Sequence, residues 1–444
     1  MNRDHSFHNR RLLSAFVGIA FILSMLGNPA AVFAAGWSQG VVFTPSLPSS
    51  APNAFSFNPS GTELWATAPG TSNGAVVQVA QRSFGGAWSP LTTIATIPSV
   101  GLLVVQDLSV SLSASNNAAA VWLANGIQVA LRSPAGVWQS PVVVASPPGN
   151  VSNLLSGLDA QGNGVAAWSL MTSTASVVEA VTWNAAGTFG NAVQLSSSSQ
   201  GAFLPDLAVN EAGAAVVAWQ AAAPLDNSSP YQVEAATRPA GGSWRAWSAA
   251  SPNVPQTWTP KVALDGSGNA TVVWKQGTTG TATVFAATQP AGGAWGSPAA
   301  IETSNSLGQN SVAADSAGNV TASWVVNNSG VMSIHSATRP AGGAWAAPTN
   351  LGQCSSNVGS LCLTPSVAAA RDGSITVMGW TAPAGSNLSN VAVRLGSGQW
   401  VPMVISGSPQ LAYVLAVNNA RASAVWPTAN RVKYHHLFSQ SDYQ

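Results

Sequence analysis

The chain has 444 residues and a mass of 44.9 kDa, with only 15 Lys or Arg and 14 Asp or Glu, so 7% of it is charged against a usual quarter. That poverty of charge, with 46% hydrophobic residues and 18 Trp, excludes a disordered chain, and a net charge of +1 excludes a strongly basic nucleic-acid binder. A multi-span membrane protein is excluded too, because the one long apolar run lies at the N-terminus.

Residues 1–34 read as a secretory signal peptide. Arg3, Arg10 and Arg11 precede the apolar stretch Leu12 to Leu26, and Val32-Phe33-Ala34 puts small residues at the −3 and −1 positions for cleavage before Ala35. The rival, an uncleaved anchor, needs about 20 apolar residues to span a bilayer, more than this run supplies. The expected address is secreted, periplasmic or cell-surface, with no stable membrane insertion after cleavage. Export suits a disulfide between Cys354 and Cys362, closing a small Ser/Gly-rich loop. No His or Asp lies close enough in sequence to suggest a metal pair there.

Residues 35–440 read as one repetitive domain. VALDGSGNATVVW ends at Trp274 and VAADSAGNVTASW at Trp324, and the same motif leads to Trp65, Trp122, Trp168, Trp219, Trp380 and Trp426. A second motif, as in RPAGGSW and RPAGGAW, follows at Trp88, Trp138, Phe189, Trp244, Trp295, Trp345 and Trp400. Units of about 52 residues, each with four short apolar segments, are the signature of an all-β β-propeller of four-stranded antiparallel blades. In the unit ending near 351, strands are expected at Asn310–Ala314, Val320–Val326, Met332–Thr338 and Ala344–Leu351, with turns at Asp315–Asn319, Asn327–Gly330 and Pro340–Gly343. After Trp426 there is room for one more strand, and segment 36–43 resembles the fourth strands. Pairing it with the last hairpin closes the ring and gives eight blades; seven is the runner-up count.

Three rows of residues recur. The Trp rows are expected to be blade-to-blade core, with sugar-stacking platforms as the alternative. Arg82, Arg132, Arg238, Arg339 and Arg394 each lie six residues before the second-motif aromatic, with Trp183 and Gln289 at that place in two units. Arg and Trp across a hairpin can stack; an anion-binding ring is the other reading. Four residues earlier, Gln78, Gln128, Glu179, Glu234, Phe285, His335 and Asn390 form a mostly polar row, expected to hydrogen-bond between blades. His435 and His436 are adjacent, point to opposite faces of a strand, and cannot share one metal.

The chain resembles secreted bacterial β-propeller repeat proteins, including sialidase-like propellers and tectonin-type lectins. Asp265-Gly-Ser-Gly-Asn leading to Trp274 is similar to the sialidase Asp-box, S-x-D-x-G-x-x-W, but its Asp-to-Trp spacing is nine rather than five. PAGGSWRAWSAAS at 239–251 resembles a lectin repeat ending. The expected role is recognition of a glycan or of an extracellular protein; the low charge argues against nucleic acid, and no cofactor is expected.

A sialidase-like glycoside hydrolase is the alternative function. It requires three arginines around the substrate carboxylate and a Tyr nucleophile with its Glu, whereas here most arginines sit in the hairpin row. A two-carboxylate glycosidase needs a raised-pKa acid and a second carboxylate about 5–10 Å away. Asp206, Asp226, Glu211 and Glu234 are the one local cluster. No nucleophile triad, phosphate loop or zinc spacing appears. The reading favoured is non-catalytic. The uniform first and third hairpins open on one face, and the variable connections on the other. Blade four inserts Ala221–Tyr231, and the connection into blade five carries Trp258 between Pro255 and Pro260. Asp226, Tyr231 and Trp258 are therefore the expected ligand-binding residues.

Overall fold

A computed structural model describes residues 41–43, 51–98, 105–226, 230–278, 280–355, 365–381, 388–406, 413–417, 421–428 and 431–437. The signal sequence, Trp37 and Cys362 lie outside the described residues. Among those described there is no helix, and the strands form eight antiparallel sheets. Seven are meanders, read here as blades one to seven: 53–98, 107–145, 150–194, 201–249, 257–304, 307–355 and 366–406.

Blade six shows how the sequence makes one. Leu307–Ala314, Val320–Asn328, Val331–Arg339 and Thr349–Ser355 pair in chain order. Asn328 pairs with Val331 across Ser329 (φ 54°) and Gly330 (φ 91°). Two positive-φ residues give the tight turn whose twist matches the flanking strands. Val320–Val326 is buried at every position, because sheets cover both of its faces. The fourth strand begins at Thr349, not at Ala344 as the sequence suggested. Ala346 N–H still closes the hairpin on Thr338 O at 2.8 Å, but Pro348 has no N–H to continue the ladder.

The eighth sheet joins the two ends of the chain. Val41–Phe43 pairs with Arg431–Leu437, matching Val41 to Tyr434 and Phe43 to Val432 beside Arg421–Thr428 and Tyr413–Val417. The Arg421 guanidinium carbon stands 5.0 Å from the ring centroid of Phe84, in blade one.

The first-motif Trp residues fill the seams. Trp65, Trp122, Trp168, Trp219, Trp274, Trp324 and Trp380 are all at most 2% exposed. Trp122 packs with Leu64 and Val77 of blade one, Trp168 with Val121 of blade two, and Trp274 with Val216 of blade four. Truncating one such Trp to Ala costs about 3–5 kcal/mol.

The arginine row does two things. Arg82, Arg132, Arg339 and Arg394 lie 4.7, 6.0, 5.8 and 5.4 Å from the centroids of Trp88, Trp138, Trp345 and Trp400, the expected stacking. Three of them also reach backward: Arg132 donates to Gln81 of blade one, Arg339 to Thr288 and Thr271 of blade five, and Arg394 to Thr321 of blade six. This commits most of the row to the scaffold. Where Trp183 replaces Arg, it contacts Phe189 at 6.1 Å.

The polar row departs from expectation. Cross-strand register places Glu179 opposite Trp168 and Glu234 opposite Trp219, so each carboxylate accepts the indole N–H of its own blade, at 3.1 and 3.0 Å. His335 and Asn390 do bond to the preceding blade, through Glu302 and Gln353 O. On the uniform face, Asp159 and Asp265 each accept two backbone N–H groups of their own turn and the Asn side chain that ends it. Asn163, Asn269 and Asn319 then accept the N–H of Ala185, Ala291 and Ala341, tying the two hairpins of each blade together.

Candidate functional site

The connection into blade five is stitched to the insertion of blade four. Tyr231 N–H donates to Ala221 O at 3.0 Å, Val254 N–H to Tyr231 O at 2.8 Å, and Thr257 N–H to Pro230 O at 3.1 Å. Gly277 N–H then donates to Gln256 O at 2.9 Å. Gln256 and Thr259 have φ of 63° and 50°, backbone angles costly to non-glycine residues and sustained here by the surrounding bonds. Trp258, between them, is half-buried and paired with Lys275 at the rim of blade five. Tyr231 is also half-buried, and desolvation, then the nearby Glu234, pushes its hydroxyl above the usual range. Segments carrying Tyr231 and Trp258 therefore run side by side. Asp226 lies apart at the exposed tip, bridged to Ala223 across Pro224 and Leu225.

The uniform face holds concavities that sequence reasoning missed. A cleft of about 390 Å³ opens between blades three and four, lined by Asp159, Asn163, Trp183, Asn184, Phe189 and Arg238. A smaller one, about 170 Å³, lies between blades four and five beside Arg238, Arg245 and Gln289. Trp183 and Gln289 are the two interruptions of the arginine row among these seven blades. The broken row was the available signal.

A third cavity, about 460 Å³, lies on the axis and is lined by the first strands of blades one to seven. Blades four to seven contribute the aliphatic triplets Leu207–Val209, Val262–Leu264, Val312–Ala314 and Val367–Ala369. Blades two and three face them with hydroxyls: Ser156 Oγ bonds Ser109 Oγ at 2.9 Å and Ser111 Oγ at 2.6 Å. Near the uniform face, Arg371 of blade seven reaches blade four, with Nη2 3.4 Å from Val209 O and Nε 3.9 Å from Glu211 Oε1.

The four neighbouring carboxylates in sequence do not converge. Asp206 accepts Val262 N–H at 2.8 Å and Lys261 Nζ at 3.2 Å. Glu211 follows the first strand of blade four, at the end opposite the hairpin of Asp226. Glu234 is 1% exposed, and burial pushes its carboxyl up to about 7 against the opposing effect of the Trp219 indole bond.

No protein-family model and no curated protein sequence matches the chain. Among solved structures, it is similar to a lectin from Burkholderia pseudomallei, with TM-score 0.52 and 14% identity over 81% of this chain and 100% of that one. An ulvan lyase matches at TM-score 0.47 and 9% identity over 83% of this chain and 97% of its own, and a Hadza microbial sialidase at 0.43 and 10% over 91% and 93%. At such identities the likeness is one of fold. Sheet order and seam packing define the chain as a β-propeller.

Proposed function

We propose that the chain is exported, is cleaved after Ala34, and acts without catalysis as a carbohydrate-recognition propeller. The observation that carries this reading is that Tyr231 and Trp258, two half-exposed aromatics, lie on segments fixed to each other by backbone hydrogen bonds. Rigid aromatic surface with a polar rim suits a sugar, whose C–H face stacks on the ring while its hydroxyls find hydrogen bonds. The fold shared with a lectin along that protein's whole length supports the same reading. An extracellular protein partner is the second occupant such a rim suits.

The test is a glycan array probed with the exported protein and with Trp258→Ala. We expect discrete glycan signals that fall at least about tenfold in the variant at unchanged melting temperature, as loss of a stacking contact predicts. Unchanged binding at unchanged melting temperature removes Trp258 from the site. Turnover of any bound glycan replaces this reading with the hydrolase.

A further inference from the structure

The scaffold pattern is broken on both sides of the cleft between blades four and five. In blades three, five and six the first turn ends in Asn163, Asn269 or Asn319, whose side chain accepts an N–H of the third hairpin. Blade four has Ala214 at that place, and the corresponding Ala240 N–H has no partner among the described residues. Both alanines line the cleft. Asn117, at the same position in blade two, extends across its own seam to Gln161 O of blade three at 3.0 Å, so an amide there occupies space that Ala214 leaves open. The second break is Gln289. Arg339, its counterpart in blade six, spans the seam to Thr288 of blade five. Gln289 is shorter and turns to its own hairpin, with Nε2 2.8 Å from Gly293 O, and its buried Oε1 has no partner among the described residues.

Two cations flank the gap. Arg238 makes one side-chain hydrogen bond among the described residues, a long one of 3.3 Å to Gly213 O. Burial lowers its pKa, and the charge of Asp159 works the other way. Arg245 is exposed and reaches from blade four over the hairpin of blade five, where a Cβ at Gly292 would stand 3.2 Å from both Nη1 and Nη2. Its guanidinium has five N–H donors and makes no hydrogen bond or ion pair among the described residues. No carboxylate lines the cleft: Asp265 is taken up by its own turn, and Glu211 lies toward Arg371. At about 170 Å³ the cleft is smaller than the roughly 300–1,000 Å³ of drug-sized sites, so it takes the charged end of a ligand.

We propose that this cleft binds an acidic sugar, with its sulfate or carboxylate held by Arg245, Arg238 and the Ala240 N–H. An oxyanion matches the guanidinium fork bidentately and accepts from a backbone N–H at the same time. A bare anion leaves Gln289 Oε1 unsatisfied, whereas a sugar hydroxyl donates to it. That the anion is borne by a sugar rests on the carbohydrate reading above.

The probes are N-acetylglucosamine 6-sulfate and glucuronate, titrated by calorimetry into the full-length protein and two variants. Saturable one-to-one binding of at least one is expected, and the tighter of the two identifies the anion. Neutral N-acetylglucosamine and inorganic sulfate should each be at least about tenfold weaker, the first for want of the charged bond and the second for want of the hydroxyl. Arg245→Gln, at an exposed position, should weaken the acidic sugar by about tenfold or more. Ala214→Asn supplies the amide that blades three, five and six carry, ties down the Ala240 N–H, and should abolish binding at unchanged melting temperature with both arginines in place. The proposal falls if neither acidic sugar binds saturably, or if neutral N-acetylglucosamine binds as tightly as its sulfate. It also falls if inorganic sulfate binds as tightly, which leaves only an anion site, or if affinity survives either variant. Tyr231 and Trp258 lie at the opposite ends of these strands from the hairpins that line the cleft, so the glycan array with Trp258→Ala and this titration fail independently.

Discussion

Gly213, in the first turn of blade four, lies against Asp159 of blade three: a Cβ at that glycine would stand 2.8 Å from Asp159 Oδ2. The relationship repeats, with Gly318 against Asp265 and Gly373 against Asp315, both at 2.9 Å. These glycines also have φ of 90°, 94° and 70°, which L side chains rarely adopt. One residue type thus closes its own turn and lets the next blade approach the carboxylate that organises the previous turn.

Gly318→Ala should therefore destabilise by about 2–3 kcal/mol, combining backbone strain with displacement of Asp265. Gly342 provides the contrast. It has φ 66° but no atom within 4 Å of a Cβ, so Gly342→Ala should cost only about 1 kcal/mol. Urea midpoints of the two variants measure the difference; equal losses would show that the contact with Asp265 is unimportant.

Much of this was legible because each blade solves the same packing problem with the same residues. The Arg-to-Trp spacing of six predicted a stack across a hairpin, and four such stacks are present. What joins one blade to another was less readable. Arg339 and Thr288 are 51 residues apart, and nothing local fixes their register. For the same reason Glu179 and Glu234 were expected to bond between blades, although strand pairing sets each opposite its own Trp. The first-strand irregularities at Asn153, Leu204 and Thr259, all at positive φ, occupy residues that carry no turn signal in common. Arg371 and Glu211 meet across the axis from blades seven and four, beyond any periodicity argument.

In blade one, Arg82 Nη2 and Nε donate to Glu63 Oε2 at 2.5 and 2.8 Å, and both side chains are at most 1% exposed. Arg82→Met should cost about 3–5 kcal/mol, because it removes a buried positive charge from beside the buried Glu63 carboxylate. Arg82→Met combined with Glu63→Leu should recover a large part of that loss. A denaturant double-mutant cycle checks this, and additive losses would contradict it.

Cys354 is 2% exposed and packs in the cluster of Trp380 and Met378, while Cys362 lies outside the described residues. We expect the two to be joined in the exported protein. Intact mass under non-reducing conditions should be two hydrogens below the reduced value, and reduction should cost at most about 2–3 kcal/mol for so short a loop. Two free thiols in the exported protein would refute the pairing.

The last prediction concerns Glu234. Its carboxyl titrates near 7 in the folded chain against 4.5 when solvated, chiefly because burial disfavours the anion. Oε2 keeps the Trp219 indole bond, but Oε1 has no partner among the described residues. Below pH 4.5 both folded and unfolded chains hold the proton, and Glu234 costs nothing. Between 4.5 and about 7 the unfolded chain gives up its proton while the folded one keeps it, so stability falls as pH rises. Above about 7 both are ionised and the loss levels off, at no more than about 3 kcal/mol. Burial raises Glu179 and Asp107 in the same direction, so the wild-type profile alone does not isolate Glu234. Glu234→Gln does, because the amide oxygen still accepts the indole N–H and carries no charge. Its stability should match wild type at pH 4.5 and exceed it at pH 8, with the gap opening between those values. Blade five already manages without a carboxylate there, since Phe285 stacks on Trp274 at 5.8 Å. A constant difference from pH 4.5 to 8 in urea denaturation would mean that Glu234 ionises normally in the folded chain.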